Sequence, residues 1–166
     1  MGILGRENAN LSKAYKEHAC FKELDEAKEF YECVSDRAFC FLPLGTKDFA
    51  NYETYVFMSI YGTLDSIKEL LLKGRINDAY VLVRKFYDDI LAEIYLTVLL
   101  KEKFDINKGL YVEEVQQWLE SSYRIPSIKK IMQTLKTSTY TKDLYPFFGW
   151  KTYLEHNRHV LDDCVH

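Results

Sequence analysis

From Asn77 to Phe104 the chain reads NDAYVLVRKFYDDILAEIYLTVLLKEKF, with no glycine or proline anywhere in it. Nothing there punctuates a helix, and the apolar residues recur with helical period. Ala79, Val83, Phe86, Ile90, Ile94 and Val98 step by three or four. This stripe is expected to face the core, with Phe86, Ile90, Ile94 and Val98 nearly fully buried. Tyr80, Tyr87, Leu91 and Tyr95 widen it, and Leu82, Leu96, Leu99 and Leu100 add apolar surface on other sides. A helix apolar around most of its circumference must be packed on more than one flank. The segment is therefore expected at the centre of the fold. Two charges, Arg84 and Asp88, stand inside it one turn apart.

The flanking chain supplies the neighbours. Leu11, Tyr15, Ala19, Leu24, Ala27, Phe30, Tyr31 and Val34 predict a first helix from Leu11 to about Ala38, and Pro43 and Gly45 close it. A second helix is expected from about Asp48 or Asn51 to Lys73, with Tyr52, Val56, Ile60, Leu64, Ile67 and Leu71 along one side. Gly74 is a stop signal and Asn77 a natural N-cap, so a short link should fold the second and central helices into an antiparallel hairpin. After the loop DINKG, a short helix is expected over Tyr111–Ser121 and another opening at Pro126 and Ser127. Pro146 to His166 reads as a last long helix. No alternating strand pattern, internal repeat or low-complexity segment is visible. The fold predicted is all-α, an up-and-down helical bundle of four long helices with two short inserted helices, in a single domain over 1–166.

Composition narrows the function classes. A chain of 166 residues that is 48% hydrophobic can bury a core without metal or disulfide staples. The 13 Tyr and 10 Phe point to a core or contact surface built from rings. A net charge of −3 means that binding to nucleic acid would need a local basic patch. Arg124, Lys129, Lys130 and Lys136 form one around the inserted helices, although such charges are also what a solvated helix face looks like. Cys20, Cys33, Cys40 and Cys164 lack CxxC or Cys/His ligand spacing and read as free thiols of a reducing compartment. The start, MGILGRENAN, has no signal-peptide pattern, and Arg6 stands where a myristoylation motif wants Ser or Thr. No apolar run is long enough to span a bilayer. A cytoplasmic protein without a membrane segment is expected.

The most chemically loaded stretch is WKTYLEHNRHVLDDCVH, Trp150 to His166, which holds three of the four histidines. On a helix Glu155, His159, Asp162, Asp163 and His166 mostly share a face. One outcome is an ordinary solvated face. A second is a carboxylate–His metal half-site from Asp163 and His166, joined by Glu155 and His159 and by Asp88, Asp89 or Glu93 of the central helix. The chain has no Glu-x-x-His pair, so no metal and no other cofactor is expected. A third is an interaction module presenting Tyr111, Trp118, Tyr123, Phe147, Phe148 and Trp150.

Leu161-Asp-Asp-Cys-Val-His166, taken with Leu82-Val-Arg84-Lys-Phe-Tyr-Asp88, resembles the HEPN superfamily of all-α domains, many of them RNA-cutting toxins or abortive-infection proteins. Branches of that family pair an inner-helix Arg-x-x-x-acid with a late helix ending Leu-x-x-x-Val-His. The family hallmark is an Arg followed after four to six residues by a His. Here seven residues separate Arg158 from His166, and the six-residue spacing falls on His159. The resemblance implies metal-independent cleavage of RNA, with His166, Arg158 and His159 as catalytic residues and Arg84, Asp88 and Asp162 supporting them. It also implies RNA as a partner and a homodimer through the last helix, whose two copies would face one cleft. The helical pattern reaches His166 in mid-helix, as a truncated helix would.

Overall fold

The computed structural model describes residues 11–40, 52–105, 112–120, 124–143 and 159–161. Among these every regular element is a helix, so the chain is all-α as expected. The elements are α1 (Lys13–Lys16), α2 (Ala19–Cys40), α3 (Tyr52–Leu72), α4 (Ile76–Lys103), α5 (Glu113–Leu119) and α6 (Ile128–Thr137). Residues 159–161 are also helical, and the rest of the fourth long helix expected over Pro146–His166 lies outside the described residues.

The α3–α4 hairpin is set by its turn. Gly74 has φ +69°, where a side chain would be strained. The Gly74 N–H donates to the Leu71 carbonyl at 2.8 Å and the Arg75 N–H to the Leu70 carbonyl at 2.9 Å. That reciprocal pair is the Schellman arrangement, which satisfies the last carbonyls of a helix and reverses the chain. Only Lys73, Gly74 and Arg75 stand between the elements, so α4 starts at Ile76 with Arg75 at its N-cap, and Asn77 is inside it instead of capping it. Asp78 in the first turn complements the helix dipole and pairs with Arg75 Nε at 2.6 Å.

The single first helix expected from Leu11 is instead broken. α1 is capped by Ser12 Oγ, which accepts from Tyr15 N–H at 3.2 Å, and α2 begins after His18, whose Nδ1 accepts from Cys20 N–H at 3.2 Å. The break turns α1 across the hairpin end. There the Tyr15 hydroxyl donates to the Leu71 carbonyl at 2.9 Å, and Leu11 packs over Gly74.

Three helices make the body of the core. On α3 the residues Tyr52, Val56, Ile60, Leu64 and Ile67 are buried, which is the predicted stripe without Leu71. Tyr31 of α2 reaches both neighbours, with ring centroids 6.2 Å from Phe57 of α3 and 6.2 Å from Phe86 of α4. Two reciprocal ion pairs, Asp25–Lys68 and Lys28–Asp65, join α2 to α3 with residue numbers running in opposite senses, as antiparallel helices require. Val115 of α5 and Ile131, Met132 and Leu135 of α6 complete the cluster.

Along α4 the expected burial pattern needs correcting. Val98 is buried, but Phe86, Ile90 and Ile94 are only partly so. The buried apolar residues are Ala79, which the stripe included, and then Leu91, Ala92, Tyr95, Leu96, Val98 and Leu99. The cause is uneven cover: Tyr80 and Val81 near the start are exposed, whereas α5 and α6 close over the later turns. No described helix is long and apolar enough to cross a membrane.

Truncating Leu96, which is 0% exposed, to alanine should cost about 2–5 kcal/mol in urea unfolding. Ile90→Ala, at a half-covered position, should cost clearly less. The reverse order would mean that the centre of packing has been misplaced.

Candidate functional site

On α4 a spacing of four residues stacks side chains on one face. Arg84 Nε donates to Asp88 Oδ2 at 3.1 Å, with the side chains 22% and 46% exposed. One residue along, Lys85 pairs with Asp89 and also donates to Thr63 Oγ1 of α3 at 3.1 Å. Asp88 and Asp89 form one wall of a cleft of about 320 Å³ between α4, α5 and α6. Its other lining includes Leu91, Ala92, Trp118, Ile125, Pro126 and Ile131. An apolar floor under two paired carboxylates suits a ring or aliphatic group with a polar end, because each acid already has a cation beside it.

A second polar group lies elsewhere on α4, toward α3. Glu93 is 8% exposed in the midst of apolar residues. Its Oε1 accepts from the Thr97 hydroxyl at 3.0 Å, and Thr97 Oγ1 lies 2.7 Å from the Tyr52 hydroxyl. Glu93 Oε2 finds no hydrogen-bond partner among the described residues. Burial pushes this carboxyl up to about 7, opposed by the Thr97 hydrogen bond and helped by the nearby charge of Glu53. Burial, followed by the Glu93 charge, also raises the phenols of Tyr52 and Tyr31. Such a carboxyl exchanges its proton near neutral pH, yet it opens onto the α3 interface and is absent from the cleft lining.

Arg84 and Asp88 are thus joined in an i, i+4 ion pair, as two such charges one turn apart on any helix can be, with Asp88 at the cleft. His159 is exposed. His166, Arg158 and Asp162 lie outside the described residues, as do Glu155 and Asp163. Among the described residues no three His, Cys, Asp or Glu side chains converge to hold a metal ion. Trp118 is half-buried in the cleft wall, while Tyr111, Tyr123, Phe147, Phe148 and Trp150 are outside the described part. Cys20 and Cys33 are free thiols. Compared with protein-family models, with curated proteins and with solved structures, the chain finds no match in any of the three.

Glu93 carries a pH prediction. Between about 4.5, its unfolded value, and about 7 the native state holds a proton that the unfolded chain has released. Stability from this group is therefore full below about 4.5, falls as pH rises through that window, and levels off above it. The total is on the order of 3 kcal/mol. Glu93→Gln removes the titration, so wild type should lose stability relative to this variant from pH 5 to pH 8. Urea unfolding of both proteins with a pH-independent difference would show that Glu93 is ionised throughout.

Proposed function

We propose that the chain is a HEPN-like helical domain that cleaves RNA without a metal. The observation that carries the reading is the Arg84–Asp88 pair: 3.1 Å apart, part-buried, and held on the central helix of an all-α core. The pair matches the inner-helix Arg-x-x-x-acid of the resemblance, and in this reading it supports a neighbouring helix. In the mechanism a ribose 2′-hydroxyl attacks the adjacent phosphorus, the new 2′-O–P bond closes a 2′,3′-cyclic phosphate, and the bond to the 5′-oxygen of the next nucleotide breaks, that oxygen leaving with a proton. His166 takes or returns the proton, since an imidazole titrates near neutral pH. Arg158 stabilises the charge that builds on the phosphate oxygens. His159 adds a second imidazole, and Asp162 with Arg84 and Asp88 orients the helix that bears them. Two copies pair through the last helix, which brings the cationic residues of both into one groove.

The test is cleavage of single-stranded RNA in the presence of a chelator, with 2′,3′-cyclic phosphate ends as the diagnostic product. His166→Ala and Arg158→Ala should each reduce the rate about 100-fold or more. Sedimentation at micromolar concentration should show a dimer that Phe148→Asp splits. Wild-type protein without chelator-resistant cleavage would sink the enzyme reading.

A second reading is favoured by the cleft. Its apolar floor, formed by Trp118, Ile125 and Ile131, suits an apolar side chain of a protein partner, and the chain would then be a non-catalytic interaction module.

A further inference from the structure

The outer surface of α6 differs in charge from the rest of the molecule. Residues 124–143 contain five cations, Arg124, Lys129, Lys130, Lys136 and Lys142, against a single acid, Asp143, in a chain of net charge −3. All five cations are exposed. None forms an ion pair with a described residue, whereas most described lysines of α2, α3 and α4 do. Ile131, Met132 and Leu135 bury the opposite face of α6, which fixes which side the lysines present. Lys129 and Lys136 are two turns apart on that side, roughly 10 Å along the axis. Just beyond the helix, Tyr140 is 52% exposed. Its hydroxyl donates to the Lys101 carbonyl at 3.3 Å, and Lys101 Nζ sits 5.7 Å from the ring centroid. The outer face of α2 is the counterpart, with Glu23, Glu26, Glu29, Glu32 and Asp36 all exposed.

We infer that the α6 face, ending at Tyr140, is a docking surface for the backbone of single-stranded RNA. Unpaired lysines in a row meet successive phosphates and release their counterions, and the exposed ring four residues beyond Lys136 accepts a stacked base. A duplex would offer phosphates but no free base face to Tyr140. The acidic face of α2 repels the same strand and so orients it. This rests on the RNA reading above and adds to it a site distant in sequence from Arg158 and His166.

Binding is measured by fluorescence anisotropy with a labelled 20-nucleotide 2′-O-methyl RNA. This probe lacks the attacking hydroxyl, so docking is read whether or not the protein cleaves. Lys129→Glu/Lys136→Glu should weaken binding at least tenfold at low salt and flatten the salt slope by about 1.4, two phosphate contacts at 0.7 each. Tyr140→Ala should weaken binding about fivefold or more and leave that slope unchanged. Lys13→Glu/Lys22→Glu makes the same change in net charge elsewhere and should stay within twofold of wild type. Circular dichroism melts confirm folding, and Lys129→Gln/Lys136→Gln serves if the glutamates unfold the helix, with a smaller loss in the same direction. The inference is overturned if wild type does not bind, or if both charge-reversed pairs lose affinity equally. It is likewise overturned if wild type binds vesicles of phosphatidylserine and phosphatidylcholine more tightly than RNA. Binding without cleavage of unmodified RNA would sink the enzyme reading and leave this one standing.

Discussion

The structure depends on the reversal of the chain at Gly74. Only a left-handed residue lets the Gly74 and Arg75 amides turn back onto the carbonyls of α3. That geometry starts α4 at once and lays it antiparallel to α3, so the apolar faces of both helices meet along their length. α2 then packs against the pair through Tyr31, while Tyr15 of α1 and Leu11 just before it cover the turn itself. α5 and α6 need only close the later turns of α4, and the cleft arises where they approach it.

How legible this was in the sequence depended on how uniform each helix's surroundings are. α3 is covered on one side over its whole length, so a stripe counted at three and four residues found its buried face almost entire. α4 is half-covered early and enclosed late, and no single stripe describes both conditions. Periodicity therefore ranked Phe86 and Ile90 above Leu91 and Leu96. The break at His18 was hidden for a different reason: apolar spacing continues across it, and the capping nitrogen belongs to a residue seldom read as a cap.

The polar groups divide in a similar way. Arg84 with Asp88 and Lys85 with Asp89 are helical neighbours by number, so both pairs could be read directly. Glu93 was named only as a spare ligand, although the sequence carried a signal. It stands among Ala92, Ile94 and Tyr95 with no cation three or four residues away on either side. An acid in that position has no local partner, and burial then raises its affinity for a proton. The histidine-bearing end of the chain, by contrast, rests on spacing and resemblance.

The two crossed ion pairs between α2 and α3 have a further consequence. Each is half-exposed, and a pair of that kind contributes little to stability. Their value lies in what a misaligned pairing would meet. Sliding one helix past the other by three residues brings Lys28 opposite Lys68 in one direction and Asp25 opposite Asp65 in the other. Either slip replaces attraction with repulsion, in addition to breaking the contact of Tyr31 with Phe57 beneath. Four surface charges thus act as a vernier, reinforcing the one alignment in which Asp25 meets Lys68 and Lys28 meets Asp65.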